Sequence, residues 1–230
     1  MTTHRALAAA ATLVALAFAL STLERWLARR RRHELAWTAA LVLFAAGSAA
    51  LWAGATLGWG PVSFRLFYLF GAIVNVPVLA LGTVYLLGGE RRGDRWALVV
   101  ALTCAFATGV VAVAPLTGVI HPGELPRGSD VFGALPRVLA AVCSGAGALV
   151  VLAGAAWSAV RRRLVATNLL IAAGTLVLSA GGLLNSVVDE MDGFAISLVA
   201  GITLIFAGFL VSSSRRPQRP PEHLAAGADR

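Results

Sequence analysis

Seven apolar runs, each near the length that crosses a bilayer, divide this chain, and only short connectors separate them. A spanning helix needs about 20 apolar residues at about 1.5 Å of rise each. The runs predict helices over Ala6–Leu23, Leu35–Leu57, Phe64–Leu87, Trp96–Ala114, Leu135–Trp157, Asn168–Val188 and Phe194–Ser213. Seven such helices use most of the 230 residues and leave no room for a soluble domain. Composition agrees, with 58% of residues hydrophobic and 13% charged, where soluble domains carry about 25% charge. The expected fold class is an all-α membrane protein, a seven-transmembrane helix bundle over residues 1–214, with the lipid bilayer as its solvent.

The formal charge is +8, and all 19 basic residues are Arg. Gathered into one patch they would point to nucleic acid, but they punctuate the apolar runs, so no nucleic-acid partner is expected. Alternate connectors carry them. Arg25, Arg29, Arg30, Arg31 and Arg32 follow the first run, Arg91, Arg92 and Arg95 the third, and Arg161, Arg162 and Arg163 the fifth. Arg215, Arg216, Arg219 and Arg230 end the chain, leaving Arg5, Arg65, Arg127 and Arg137 for the other side. Loops that hold Arg stay cytoplasmic, so this alternation predicts an outside amino terminus, a cytoplasmic carboxyl terminus and a place in the cytoplasmic membrane. An even number of crossings would break it. The same cluster makes the first run an anchor rather than a cleaved leader, because a leader carries its positive charge ahead of the apolar stretch. Pro115–Pro136, with Pro122, Gly123, Pro126 and Gly128, reads as consecutive turns able to cap the outer face. Residues 215–230 are polar and Pro-rich and read as a disordered cytoplasmic tail.

Helices in lipid associate through close contact at small residues, since lipid tails are as apolar as Leu. Gly recurs at a spacing of seven in four runs, as Gly47 and Gly54, Gly147 and Gly154, Gly174 and Gly181, and Gly201 and Gly208. That period keeps a residue on one seam of a left-handed helix pair and predicts crossings near +20°. No internal repeat relates the first three runs to the last three, which argues against a repeat-built transporter.

Polar residues fall on single faces in two runs. In the third, Arg65, Tyr68, Ala72, Asn75, Leu79 and Gly82 form one stripe. Asn75 sits near mid-depth, and Pro77 removes the amide that would bond the Ile73 carbonyl, predicting a kink with a free acceptor beside the Asn amide. Asn75 then either builds a small polar site with that carbonyl or bonds across to a neighbouring helix and fixes register. In the sixth run Asn168, Ala172, Thr175, Ser179, Gly182, Ser186 and Asp189 make a stripe about 32 Å long, flanked by Asn185. Such a stripe is either a packing seam or the wall of a polar pathway. It ends in Asp189, Glu190 and Asp192 on the same side as Arg65, where an ion pair with Asp189 or Glu190 would close an outward vestibule also lined by Trp52, Tyr68 and Asn185. Trp52 and Tyr68 also suit plain interfacial anchoring.

Several chemistries lack their residues. Retinal linkage needs a Lys amine, and the chain has no Lys. Haem and zinc sites usually need His, and His4, His33, His121 and His223 all lie in termini or loops. Cys104 and Cys143 sit inside apolar runs without a Cys-x-x-Cys spacing and read as buried small hydrophobes. Ser144 has no His partner for nucleophilic catalysis. No cofactor or metal is expected.

The segment Phe64-Arg65-Leu66-Phe67-Tyr68, through Asn75-Val76-Pro77 to Gly82-Thr83-Val84-Tyr85, resembles a stretch of uncharacterised seven-span membrane proteins of GC-rich bacteria. The Arg-only basic set and the abundant Ala, Leu and Gly fit such a genome. The resemblance implies the seven-span fold and carries no biochemical activity. From the residues, the expected function is non-catalytic binding of a small ligand, lipid or protein partner in an outward-facing polar pocket between the third and sixth spans. The candidate binding residues are Trp52, Arg65, Tyr68, Asn75, Thr175, Ser179, Asn185, Ser186, Asp189 and Glu190. A solute pathway along the sixth-span stripe is the alternative, and an enzyme using Asp189 or Glu190 at the outer leaflet is the third reading.

Overall fold

The computed structural model describes residues 3–160, 165–187 and 191–214 and, in the last two helices, the side chains of 169–178, 180, 181 and 193–211. The expected tail lies outside the described residues. The long helices are α1 (Thr3–Arg29), α2 (Arg32–Leu57), α5 (Glu90–Val113), α7 (Ala134–Val160), α8 (Val165–Val187) and α9 (Met191–Ser214). The third apolar run is α3 (Pro61–Phe67), a π-helical segment (Tyr68–Val74) and α4 (Asn75–Gly88) in unbroken succession, while α6 (Gly128–Val131) is a single turn in the long connector. Among the described residues, six helical stretches are long and apolar enough to cross a membrane by length and composition. The 23-residue α8 adds an apolar stretch over Leu169–Leu178.

Local chemistry sets the ends of these helices. Pro61 opens α3, where its missing amide costs no hydrogen bond, and the Ser63 hydroxyl accepts from the Gly60 amide at 2.9 Å. Arg30 takes the left-handed conformation (φ 53°), and its amide donates back to the Trp26 carbonyl at 2.7 Å, reversing the chain between α1 and α2. Gly89, at φ 76°, is the lone residue between α4 and α5, a conformation that a side chain would strain.

The kink expected at Pro77 takes a different form. The turn before it widens into π-helix, and the Ser144 hydroxyl of α7 donates to the Ala72 carbonyl at 2.6 Å. The strain of a missing amide is thus absorbed by a wider turn and an outside donor, a recognised solution in membrane helices. Gly71 lies within the widened turn, and there the α2 backbone approaches so closely that a Cβ on Gly47 would stand 2.9 Å from the Gly71 nitrogen.

Six elements close a ring: α1 packs on α2, α2 on α4, α4 on α7, α7 on α8, α8 on α9, and α9 again on α1. Outside the ring α5 leans on α4 and the π segment, with a lighter contact to α7. Three of the four glycine pairs spaced by seven mark these seams. A Cβ on Gly47 would meet the π segment and one on Gly54 the Trp59 ring. Gly147 and Gly154 face Val76 and Thr83 of α4, and Gly174 and Gly181 face Gly201 and Ser197 of α9. Hydroxyl pairs reinforce α1 on α2, with Thr38 donating to Thr22 at 2.9 Å and Thr12 to Ser48 at 3.1 Å. The periphery is apolar: Leu13, Leu98, Leu102, Phe106 and Leu149 are each more than half exposed. An apolar surface of that extent belongs in lipid, and the chain is an all-α bundle of membrane helices.

The connector between α5 and α7 folds over one end of the ring and includes a helical turn, α6, where only successive turns were expected. Leu116 and Phe132 form an isolated antiparallel bridge, the Thr117 amide donates to the Val131 carbonyl at 2.9 Å, and the Trp59 amide donates to the Pro122 carbonyl at 3.1 Å. The Phe132 ring is buried 5.1 Å from that of Phe64 and 5.0 Å from that of Tyr68, centroid to centroid. This is the cap end. At the opposite, Arg-rich end, Arg32 of α2 and Tyr85 of α4 both hydrogen-bond to Asp94 of α5, tying the peripheral helix to the ring.

Candidate functional site

The space inside the ring is where one site forms. A cavity of about 100 Å³ opens in the Arg-rich half, and every ring helix contributes to its wall. Phe18 comes from α1, Trp37 and Leu41 from α2, and Leu79 and Thr83 from α4. Opposite them stand Val151, Gly154 and Ser158 of α7, Ile171 and Thr175 of α8, and Ile205 and Phe209 of α9. The lining is apolar with a few hydroxyls, the composition common to pockets for small apolar molecules. The Thr175 hydroxyl donates to the Ile171 carbonyl at 2.8 Å, which spends its proton and leaves its lone pairs free. Toward the cap end the wall closes where Gly147 meets the backbone of Val76 at a Cβ distance of 3.0 Å. A second, open groove of about 610 Å³ lies at the cap end between α2 and α3, lined by Leu57, Trp59, Val62, Leu66 and Pro122.

The residues expected to share an outward pocket are distributed differently. Arg65 spends its guanidinium on the end of α5, donating to the Val111 carbonyl and, at 2.7 Å, to that of Ala114, with its Cζ 5.8 Å from the Phe132 ring. The expected partners Asp189 and Glu190 lie outside the described residues. Tyr68 is packed between Phe64 and Phe132, so its ring belongs to the cap cluster. Trp52 is 43% exposed on α2, as an interfacial anchor would be. Of the expected residues whose side chains are described, Thr175 alone lines the central cavity. The side chains of Ser179, Asn185 and Ser186 are outside the described residues. Phe132 packs against Tyr68 and beside Arg65, and its arrival there depends on a loop fold that no helical periodicity encodes.

The Arg65 contacts make a measurable claim. A helix ends with carbonyls that have no amide partner, and a guanidinium satisfies two of them at once. Replacing Arg65 with Leu is expected to cost about 2 kcal/mol, the range for losing hydrogen bonds to a charged group. Amide exchange in residues 111–117 should speed up with it. Unchanged exchange there would show that α5 holds without the cap.

Asn75 is 7% exposed, and its side chain makes no hydrogen bond among the described residues; Oδ1 is enclosed without a donor. The expected register bond to a neighbouring helix is therefore missing there. The Ala72 carbonyl, next to the Ile73 carbonyl expected to be free, takes the Ser144 hydroxyl rather than the Asn amide.

Sequence reasoning passed over Glu34. It is fully buried in the first turn of α2, with Oε1 3.4 Å from the Arg25 Nε of α1, and Arg25 in turn lies 4.4 Å over the Phe209 ring, part of the cavity wall. A carboxylate that follows four consecutive Arg residues and His33, just before an apolar run, was the available signal. It suits the positive end of a helix dipole. Trp37 and Thr83 were equally silent, since nothing in one sequence tells which apolar face meets a cavity.

No protein-family model, curated protein or solved structure matches this chain, so its own geometry is what identifies it, as a membrane helix bundle closed around an apolar cavity.

Proposed function

We propose that this chain is a non-catalytic multi-pass protein of the bacterial cytoplasmic membrane that binds a small apolar ligand or a lipid chain in its central cavity. It crosses the membrane seven times, with its amino terminus outside and its carboxyl terminus in the cytoplasm, as the alternation of Arg-bearing connectors implies. The observation that carries the binding role is the convergence of all six ring helices on one apolar cavity containing Thr83, Ser158 and Thr175. A packing defect would be expected between two helices, whereas this space is shared by the whole ring. The third and sixth spans face each other across it, through Leu79 and Thr83 on one side and Ile171 and Thr175 on the other. Access is from the Arg-rich end, because Phe64, Val131 and Phe132 fill the cap end. That asymmetry favours binding over a through-going solute pathway.

Native mass spectrometry of the purified protein tests this. The wild type should retain a small molecule that can be displaced and titrated back, with no flux across reconstituted vesicles. Thr83→Phe, which places a ring in the cavity, should lower its affinity about tenfold, the cost of losing about two buried methylene-sized contacts. Equal retention by the variant would remove the cavity as the binding site.

A further inference from the structure

We propose that the headgroup phosphate of an anionic phospholipid bridges the α1–α2 and α4–α5 turns, between Arg31 on one side and Arg91 and Arg95 on the other, and so ties the outlying helix α5 to the ring. The site is separate from the central cavity and does not depend on what the cavity holds. Arg32 of α2 hydrogen-bonds to Asp94 of α5, 62 residues further along the chain, and its Nε lies 4.0 Å from Glu90. On α5, Glu90 and Asp94 are one turn apart and make the stripe that meets Arg32, and Arg91 and Arg95 make the stripe beside it. Arg31 directly precedes Arg32, at the N-cap of α2. All three of these flanking Arg residues are exposed. The fold thus sets two basic turns side by side at one end of the bundle.

Residues 29–32 and 90–95 hold seven Arg, and their two acids, Glu90 and Asp94, both face Arg32. Like charges gathered in this way repel one another, and an anion placed among them is attracted by several at once. Two tryptophans set the depth. The Arg30 guanidinium lies 4.7 Å over the Trp26 ring, and Trp96, 55% exposed, directly follows Arg95. Trp in such positions sits at the level of the lipid headgroups. The anion abundant at that level is a lipid phosphate, and short basic segments beside a membrane attract such lipids. A guanidinium offers phosphate oxygens two parallel donors, which suits a phosphate shared between turns. At this end the polar contacts of α5 with the ring run through Asp94, to Arg32 and Tyr85, and are exposed to solvent. A bridging headgroup adds a second tie.

The test reads amide exchange of the full chain in vesicles of phosphatidylcholine, to which phosphatidylglycerol is added in steps. Phosphatidylglycerol should slow exchange in residues 89–97 and leave the cap connector unchanged. The apparent affinity from that titration should fall about fivefold in Arg91→Gln, the worth of one Arg at a membrane surface. It should fall by a similar factor in Arg31→Gln, although that residue belongs to the other turn. Each variant removes one exposed charge and keeps the alternation of Arg-bearing connectors, and unchanged exchange along the α1–α2 seam marks it as folded. A loss in Arg91→Gln with none in Arg31→Gln would overturn the bridge. Exchange that does not respond to phosphatidylglycerol, or that inorganic phosphate slows equally in phosphatidylcholine vesicles, would overturn the lipid as its occupant.

Discussion

Replacing Phe132 with Ala is expected to lower stability by about 3–5 kcal/mol, the range for removing a buried aromatic ring. The ring is 2% exposed and touches Phe64 and Tyr68, with the Arg65 guanidinium beside it. Its loss leaves a void under the connector, and the bridge between Leu116 and Phe132 loses the packing that pins it. The connector should then become accessible to protease between α5 and α7. Phe106→Ala is the matched control, since Phe106 is 58% exposed on the lipid-facing side of α5. Unfolding midpoints in mixed micelles compare the two. An equal drop in both would mean that Phe132 does not anchor the cap.

Gly174→Val should destabilise the bundle by about 3 kcal/mol, at the upper end for overpacking. A Cβ there would lie 2.6 Å from the Gly201 carbonyl oxygen and 2.6 Å from the Ile205 side chain. The obstacle is partly backbone, so no rotamer change relieves it, and α8 must move off α9. Gly145→Val makes the opposite prediction. A Cβ at Gly145 meets nothing within 4 Å, and valine's helix propensity is modestly better than glycine's, so that variant should unfold within a few tenths of a kcal/mol of wild type. Similar losses in the two variants would show that the α8–α9 seam does not depend on glycine.

Much of the architecture was legible in the chain. The apolar runs marked the helices because a segment in lipid must satisfy its backbone within itself, which ties sequence to element directly. Glycine at a spacing of seven marked seams for a similarly local reason: the absence of a side chain is what permits close approach. The third-span stripe joined Arg65 and Tyr68 to Asn75, which is buried, as one site. Those residues share a helix face but not an environment, because Arg65 reaches across to the carbonyls of α5 and Tyr68 is enclosed by Phe132. Both partners come from far along the chain and are invisible to periodicity. Glu34 was missed because its burial depends on Arg25 of α1 and the ring of Phe209 in α9 meeting at one point.

By itself the sequence determined the solvent, the helices and the residues available for close packing, since hydrophobicity and chain length act segment by segment. Only the tertiary structure decided that six helices close a ring while α5 stays outside, that Phe132 packs under the connector at one end, and that an apolar cavity lies in the Arg-rich half. Those outcomes depend on which faces meet across long sequence separations, and in lipid that choice is made by shape and a few hydrogen bonds rather than by hydrophobicity.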